Sequence, residues 1–105
     1  MAQFDIYANT NPASKGLYPL LLDIQSPLLE HLETRLVIPL MLKARFSDKT
    51  IRNLTPVIEV KNQEYLILTP QMAAIHAKNL GTLVENCASH RNEIVSSVDF
   101  LITGF

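Results

Sequence analysis

Thr34-Arg35-Leu36-Val37-Ile38-Pro39-Leu40-Met41 is the stretch on which the fold turns. Its near-continuous aliphatic run reads as a β-strand buried on at least part of both faces. Pro39 sits in the middle of it. Proline has no N–H to give a ladder, so the strand is expected to lie at an edge, to bulge, or to change partners at that point.

Shorter strand signals surround this one. Val57–Val60 and Tyr65–Leu68 flank the polar Lys61-Asn62-Gln63-Glu64. Two short runs about a four-residue turn indicate a hairpin. Upstream, Phe4–Ala8 and Leu17–Gln25 read as strands, the second restricted at its start by Pro19. Between them Asn9–Gly16 is rich in turn-forming residues. Ser26-Pro27 ends the second strand, and Leu28–Glu33 is expected as a brief helical turn or a loop. A further short strand is expected near Gly81–Glu85.

The C-terminal end has a different period. Ser89 is placed to cap a helix, with Glu93 in its first turn, where a negative charge is favoured. Ile94, Val98, Leu101 and Phe105 recur on one helical face, widened by Val95 and Ile102. Five or more short strands followed by one helix predict a mainly β, α+β architecture: a small, partly closed antiparallel barrel with a C-terminal α-helix. At 105 residues the expectation is one domain spanning 1–105.

Composition excludes several function classes. Hydrophobic residues make up 48% of the chain, enough for a core, and the formal net charge is -1. That balance gives no global attraction to nucleic acid or anionic membranes. Lys43, Arg45, Lys49 and Arg52 form the only local basic excess, read as a solvated loop. Leu36–Leu42 is the longest wholly apolar stretch and is far too short to span a bilayer. The N-terminus lacks the pattern of a signal peptide, and a single cysteine, Cys87, permits no intramolecular disulfide. A cytoplasmic location is the expectation.

Catalytic and cofactor motifs are weak. His31, His76 and His90 are scattered, and Cys87 with His90 supplies only one close pair, so no metal is expected. With glycine only at 16, 81 and 104, neither a Walker loop nor a dinucleotide fingerprint can form. No cofactor is expected, and nothing beside Cys87 marks an activated thiol.

The tail is the better signal. Phe100-Leu101-Ile102-Thr103-Gly104-Phe105 puts two aromatics and two aliphatics in six residues, where termini ordinarily turn polar and fray. Such a tail packs into its own core, packs across a dimer, or stays available as a patch for a partner.

In order along the chain stand Phe4, Ile6-Tyr7, Tyr18, Leu22-Asp23-Ile24-Gln25-Ser26, Arg35-Leu36-Val37-Ile38-Pro39-Leu40 and Ser47-Asp48-Lys49. Pro56-Val57-Ile58, Met72-Ala73, Ser89-His90-Arg91 and Gly104-Phe105 follow. Over nearly its whole length this pattern resembles the CcdB family, the toxin half of a bacterial toxin–antitoxin pair. The resemblance implies an SH3-like barrel of the kind shared by CcdB, MazF and Kid, assembled as a homodimer. It implies a poison of DNA gyrase that binds the gyrase A subunit, traps the enzyme on cleaved DNA and catalyses nothing itself. It further implies neutralisation by a CcdA-like antitoxin, with no sequence-specific nucleic-acid binding by the toxin alone and no membrane partner.

The gyrase contacts implied by the resemblance fall on Asp99, Ile102, Thr103, Gly104 and Phe105, with a second contribution from Ser26, Leu28 and Leu29. Thr103 departs from the pattern: the best-known relatives carry tryptophan there, able to stack on a gyrase arginine. Losing such a cation–π contact costs about 0.5–2 kcal/mol, roughly a two- to thirtyfold loss of affinity if uncompensated. Phe105 stands where relatives have isoleucine, Asp99 where they have a neutral residue, and His76 where they have proline. Two other functions compete. One is a MazF- or Kid-like ribonuclease built from Arg35, Lys43, Arg45 and His31. The other is a degenerate toxin that binds antitoxin but not gyrase.

Overall fold

The computed structural model describes residues 2–29, 31–46 and 54–104. Among these residues seven strands precede one α-helix: β1 (Asp5–Asn9), β2 (Leu20–Asp23), β3 (Thr34–Leu42), β4 (Val57–Val60), β5 (Gln63–Ile67), β6 (Ala73–His76), β7 (Leu80–Asn86) and α1 (Arg91–Thr103). They form one curled antiparallel sheet, a half-barrel, in the order β4-β5-β3-β2-β1-β7, with β6 also paired to β3. The mainly β class with a C-terminal helix is thus observed.

β3 organises the sheet, and Pro39 does so within β3. One edge of β3 pairs with β2 from Asp23↔Val37 to Leu20↔Leu40. The other edge pairs with β6 from Thr34↔His76 to Val37↔Ala73, then with β5 from Leu40↔Ile67 to Leu42↔Tyr65. Pro39 falls in the gap between these two partners, where a missing N–H leaves no ladder bond unmade. Its carbonyl accepts from Leu68 N at 3.1 Å. Of the three arrangements a mid-strand proline allows, the change of partners is the one adopted.

Alternation along the strands divides two apolar sets. Ile6, Leu20, Leu22, Ile38 and Leu40 face the main core with Phe4, Ile58, Val60, Ile67, Cys87 and Ile94. Met41, Leu66 and Leu68 form a second cluster, against which Tyr18, Phe46 and Val57 pack. On this second face a concavity of about 440 Å³ is lined by Leu21, Val37, Pro39 and Ile75, with Asn9, Asn11 and Asn79 among its polar residues.

Several local expectations need correction. The 57–68 hairpin turns on two residues, Lys61 and Asn62, rather than four, since Val60 pairs with Gln63. Both have positive φ (51° and 67°), as the two-residue turns matched to sheet twist require. The second strand starts at Leu20 rather than Leu17 and ends at Asp23. β6 carried too weak a pattern to be seen: Ala73-Ala74-Ile75-His76 neither alternates clearly nor buries any residue fully. Gly81 is needed for close approach, because a Cβ there would stand 2.9 Å from Ala8 O. Lys43 and Arg45 lie on an exposed 3-10 turn, whereas Lys49, Arg52 and the Ser47-Asp48-Lys49 motif fall outside the described residues.

Candidate functional site

α1 divides into two halves with different environments. Ser89 does not cap it: residues 88–90 form a 3-10 turn, and Asn86 Oδ1 accepts from Ala88 N at 2.8 Å instead. Glu93 does occupy the first turn and lies 3.3 Å from His90 Nδ1. Ile94 is fully buried, and Val95 and Val98 pack against the same core cluster. Ser97 is buried as well, donating to Ile94 O at 2.7 Å and sharing a 3.0 Å bond with the buried Thr69 hydroxyl. A search for apolar residues passes over such a serine, although its inward position is set by its place one turn after Ile94.

The apolar stripe read from the sequence stops short of the C-terminus. Leu101 is 39% and Ile102 73% exposed, so neither continues the buried face. The expectation that Leu101 extends the core stripe is therefore corrected: Phe100 is still half-buried, and the residues from Leu101 to Gly104 are exposed. Asp99 and Thr103 are also exposed. The Thr103 hydroxyl folds back to donate to Asp99 O at 2.7 Å. Gly104 closes the helix in the left-handed region, φ 79°, with its N–H on Phe100 O at 2.9 Å. This is the αL C-cap that glycine adopts at least cost. Phe105 lies outside the described residues.

The second candidate segment leaves β2. Asp23 is the last paired residue of that strand, and Ser26 starts a tight turn in which its Oγ accepts from Leu28 N and its carbonyl from Leu29 N. Pro27–Leu29 forms a 3-10 turn with no buried residue. Leu28 is 85% and Leu29 44% exposed, and Leu32 beyond them is also exposed. Ile24, in the stem of this turn, packs on the same core cluster as Val95 and Val98. The stem and the buried half of α1 therefore share one face of the sheet, and each leads into exposed aliphatic residues.

Beneath the turn lies a buried polar chain. Arg35 is 1% exposed, with its Nε 2.9 Å from Asp23 Oδ2 and Nη2 2.8 Å from the same oxygen. Asp23 Oδ1 accepts from Gln25 N at 3.0 Å. A guanidinium buried on a carboxylate cannot reach an RNA phosphate, so Arg35 is removed from the ribonuclease constellation. Lys43 stands 3.9 Å from Glu64 and Arg45 donates to Gly16 O, while His31 is exposed elsewhere.

Other titratable groups serve the scaffold. Burial alone would raise the Asp5 carboxyl, but hydrogen bonds from Asn86, Ala2 and Tyr7 outweigh it and hold the group below 3.8. Burial, then the bond to Asp5, pushes the Tyr7 hydroxyl to about 12. Burial, with the nearby negative charge of Glu85, pushes the Cys87 thiol to about 12. Its Sγ donates to Phe4 O. This is the opposite of activation for a nucleophile. Among the described residues no helix is long and apolar enough to cross a membrane, and no cluster of three potential metal ligands occurs.

A family model described as CcdB protein matches residues 3–104, which takes in β1 through the C-cap of α1. The match covers the strand order, the Asp23–Ser26 turn and the helix end together. The chain belongs to the CcdB family of toxin–antitoxin toxins.

Proposed function

We propose that this protein is the toxin of a type II toxin–antitoxin system and acts as a homodimer on the DNA gyrase A subunit. It traps gyrase on cleaved DNA, blocks replication, and is neutralised by a CcdA-like antitoxin. Asp99, Ile102, Thr103, Gly104 and Phe105 form the principal contact, and Ser26, Leu28 and Leu29 the second. The observation that carries this reading is the exposure of Ile102, on a helix whose preceding turns are buried. Aliphatic side chains held in water by a rigid, capped helix end are suited to burial against a protein partner.

The test is DNA cleavage by purified gyrase with the protein added. Gyrase-dependent double-strand breaks are expected, and they should disappear when Thr103–Phe105 is deleted. Breaks undiminished by that deletion would remove the assigned site.

Thr103 favours a second reading, a degenerate toxin that keeps its antitoxin and has lost gyrase. Its hydroxyl is turned back onto the helix at Asp99 O, and it offers a partner no aromatic face. Binding to an antitoxin peptide together with no detectable binding to gyrase A would favour that reading.

A further inference from the structure

Resting on the reading of Ser26–Leu29 as a partner contact, we propose that Gln25 is the positioning residue of that turn. Its side-chain amide continues the β2–β3 ladder where the main chain leaves it. The last main-chain bond along this edge runs from Ile24 N to Leu36 O at 2.9 Å. The next donor, Leu36 N, finds no strand carbonyl and is taken by Gln25 Oε1 at 3.0 Å.

The other end of the same amide donates from Nε2 to Leu29 O at 2.8 Å. One planar group thereby joins β3 to the residue that closes the exposed turn. A glutamine amide supplies both an acceptor and a donor, and both are used here.

Gln25 is itself held. Its N–H donates to Asp23 Oδ1, and Asp23 Oδ2 takes the Arg35 guanidinium. Gln25, Asp23 and Arg35 are all buried. Phe4 N donates to Asp23 O at 2.6 Å and Gln3 Nε2 to Ile24 O at 3.2 Å, tying the N-terminal segment to the same stem. Nothing comparable buries Leu28 or Leu29, whose side chains stand in solvent. Their presentation is fixed through the main chain: Ser26 Oγ holds Leu28 N within the turn, and Gln25 is the buried side chain that anchors the turn to β3. Pre-set conformation of this kind reduces the ordering cost when a partner binds.

Gln25→Met keeps the length and volume of the side chain and removes both hydrogen bonds. In the full-length protein it should weaken binding to the gyrase A subunit about tenfold. It should also speed hydrogen exchange at the Leu36 amide, which loses its acceptor, and at the Leu29 amide, which is held by Ser26 O inside the turn that Gln25 anchors. Val60→Ala, on β4, which among the described residues pairs only with β5, serves as a control lowered in stability that removes no hydrogen bond of the turn. It should bind within about twofold of the unsubstituted protein. The proposal is overturned if Gln25→Met binds as tightly as Val60→Ala, or if Leu29 exchange is unchanged beyond the general loss of stability. Should the unsubstituted protein fail to bind gyrase A, the functional reading falls. The clamp is then decided by Leu29 exchange: local acceleration in Gln25→Met upholds it, and its absence overturns it.

Discussion

The first two turns of α1 and its last turn use the same kinds of side chain to opposite ends. Ile94 and Ile102 lie on one helix, two turns and a fraction apart, yet one has no exposed surface and the other is 73% exposed. Periodicity gives both to an apolar face. They stand about 80° apart around the helix, and the core cluster that takes Ile94, Val95 and Val98 includes neither Leu101 nor Ile102. A hydrophobic stripe on a helix thus states where apolar residues point, and only the layer packed against it states whether they are covered.

Substitutions along the helix should expose this division as a gradient of stability. Ile94→Ala empties a fully enclosed site and should cost about 2–5 kcal/mol in urea unfolding. Ser97→Ala leaves the buried Thr69 hydroxyl without its partner on α1, for about 1–3 kcal/mol. Gly104→Ala forces a Cβ into the left-handed region; with open space around it, only conformational strain of about 1 kcal/mol is at stake. It should appear as faster exchange at the last amide of the helix. Ile102→Ala should change unfolding by no more than about 0.5 kcal/mol. A cost at Ile102 as large as that at Ile94 would mean the last turn is covered in solution.

The start of the helix carries a pH signature. Cys87, just before the 3-10 turn leading into α1, has its folded-state pKa raised from 9.0 to about 12. A group raised in this way favours the folded state below its unfolded pKa. The contribution is therefore present below pH 9 and lost as pH rises from there toward about 12. Thiol reagents at neutral pH should leave Cys87 untouched in the folded protein and modify it fully in urea.

Much of the fold was legible because its strongest signals are local. Pro39 announced an edge, a bulge or a change of partners, the Val57–Leu68 segment a hairpin, and the run from Ile94 a helix. The misses have physical causes. β6 is short, small-residued and only half-buried, so neither alternation nor hydrophobicity marks it. The hairpin's two-residue turn depends on Lys61 taking positive φ, which its residue type does not advertise. Ser89 caps nothing because the helix is entered through a 3-10 turn, ahead of which Asn86 Oδ1 accepts from Ala88 N. At the candidate site, Leu28 and Leu29 were named through the resemblance alone, their exposure was not foreseen, and nothing pointed to the role of Gln25. An amide that spans two segments is recognised only when both ends of its reach are known.

The exposed end of α1, from Leu101 onward, is the proposed gripping surface for gyrase. Calorimetric titration of the gyrase A subunit with the full-length protein and with Ile102→Ala tests it most directly. Saturable binding is expected of the unsubstituted protein, with at least about a tenfold loss in Ile102→Ala and an unchanged unfolding midpoint. Equal affinity in the two proteins would contradict it.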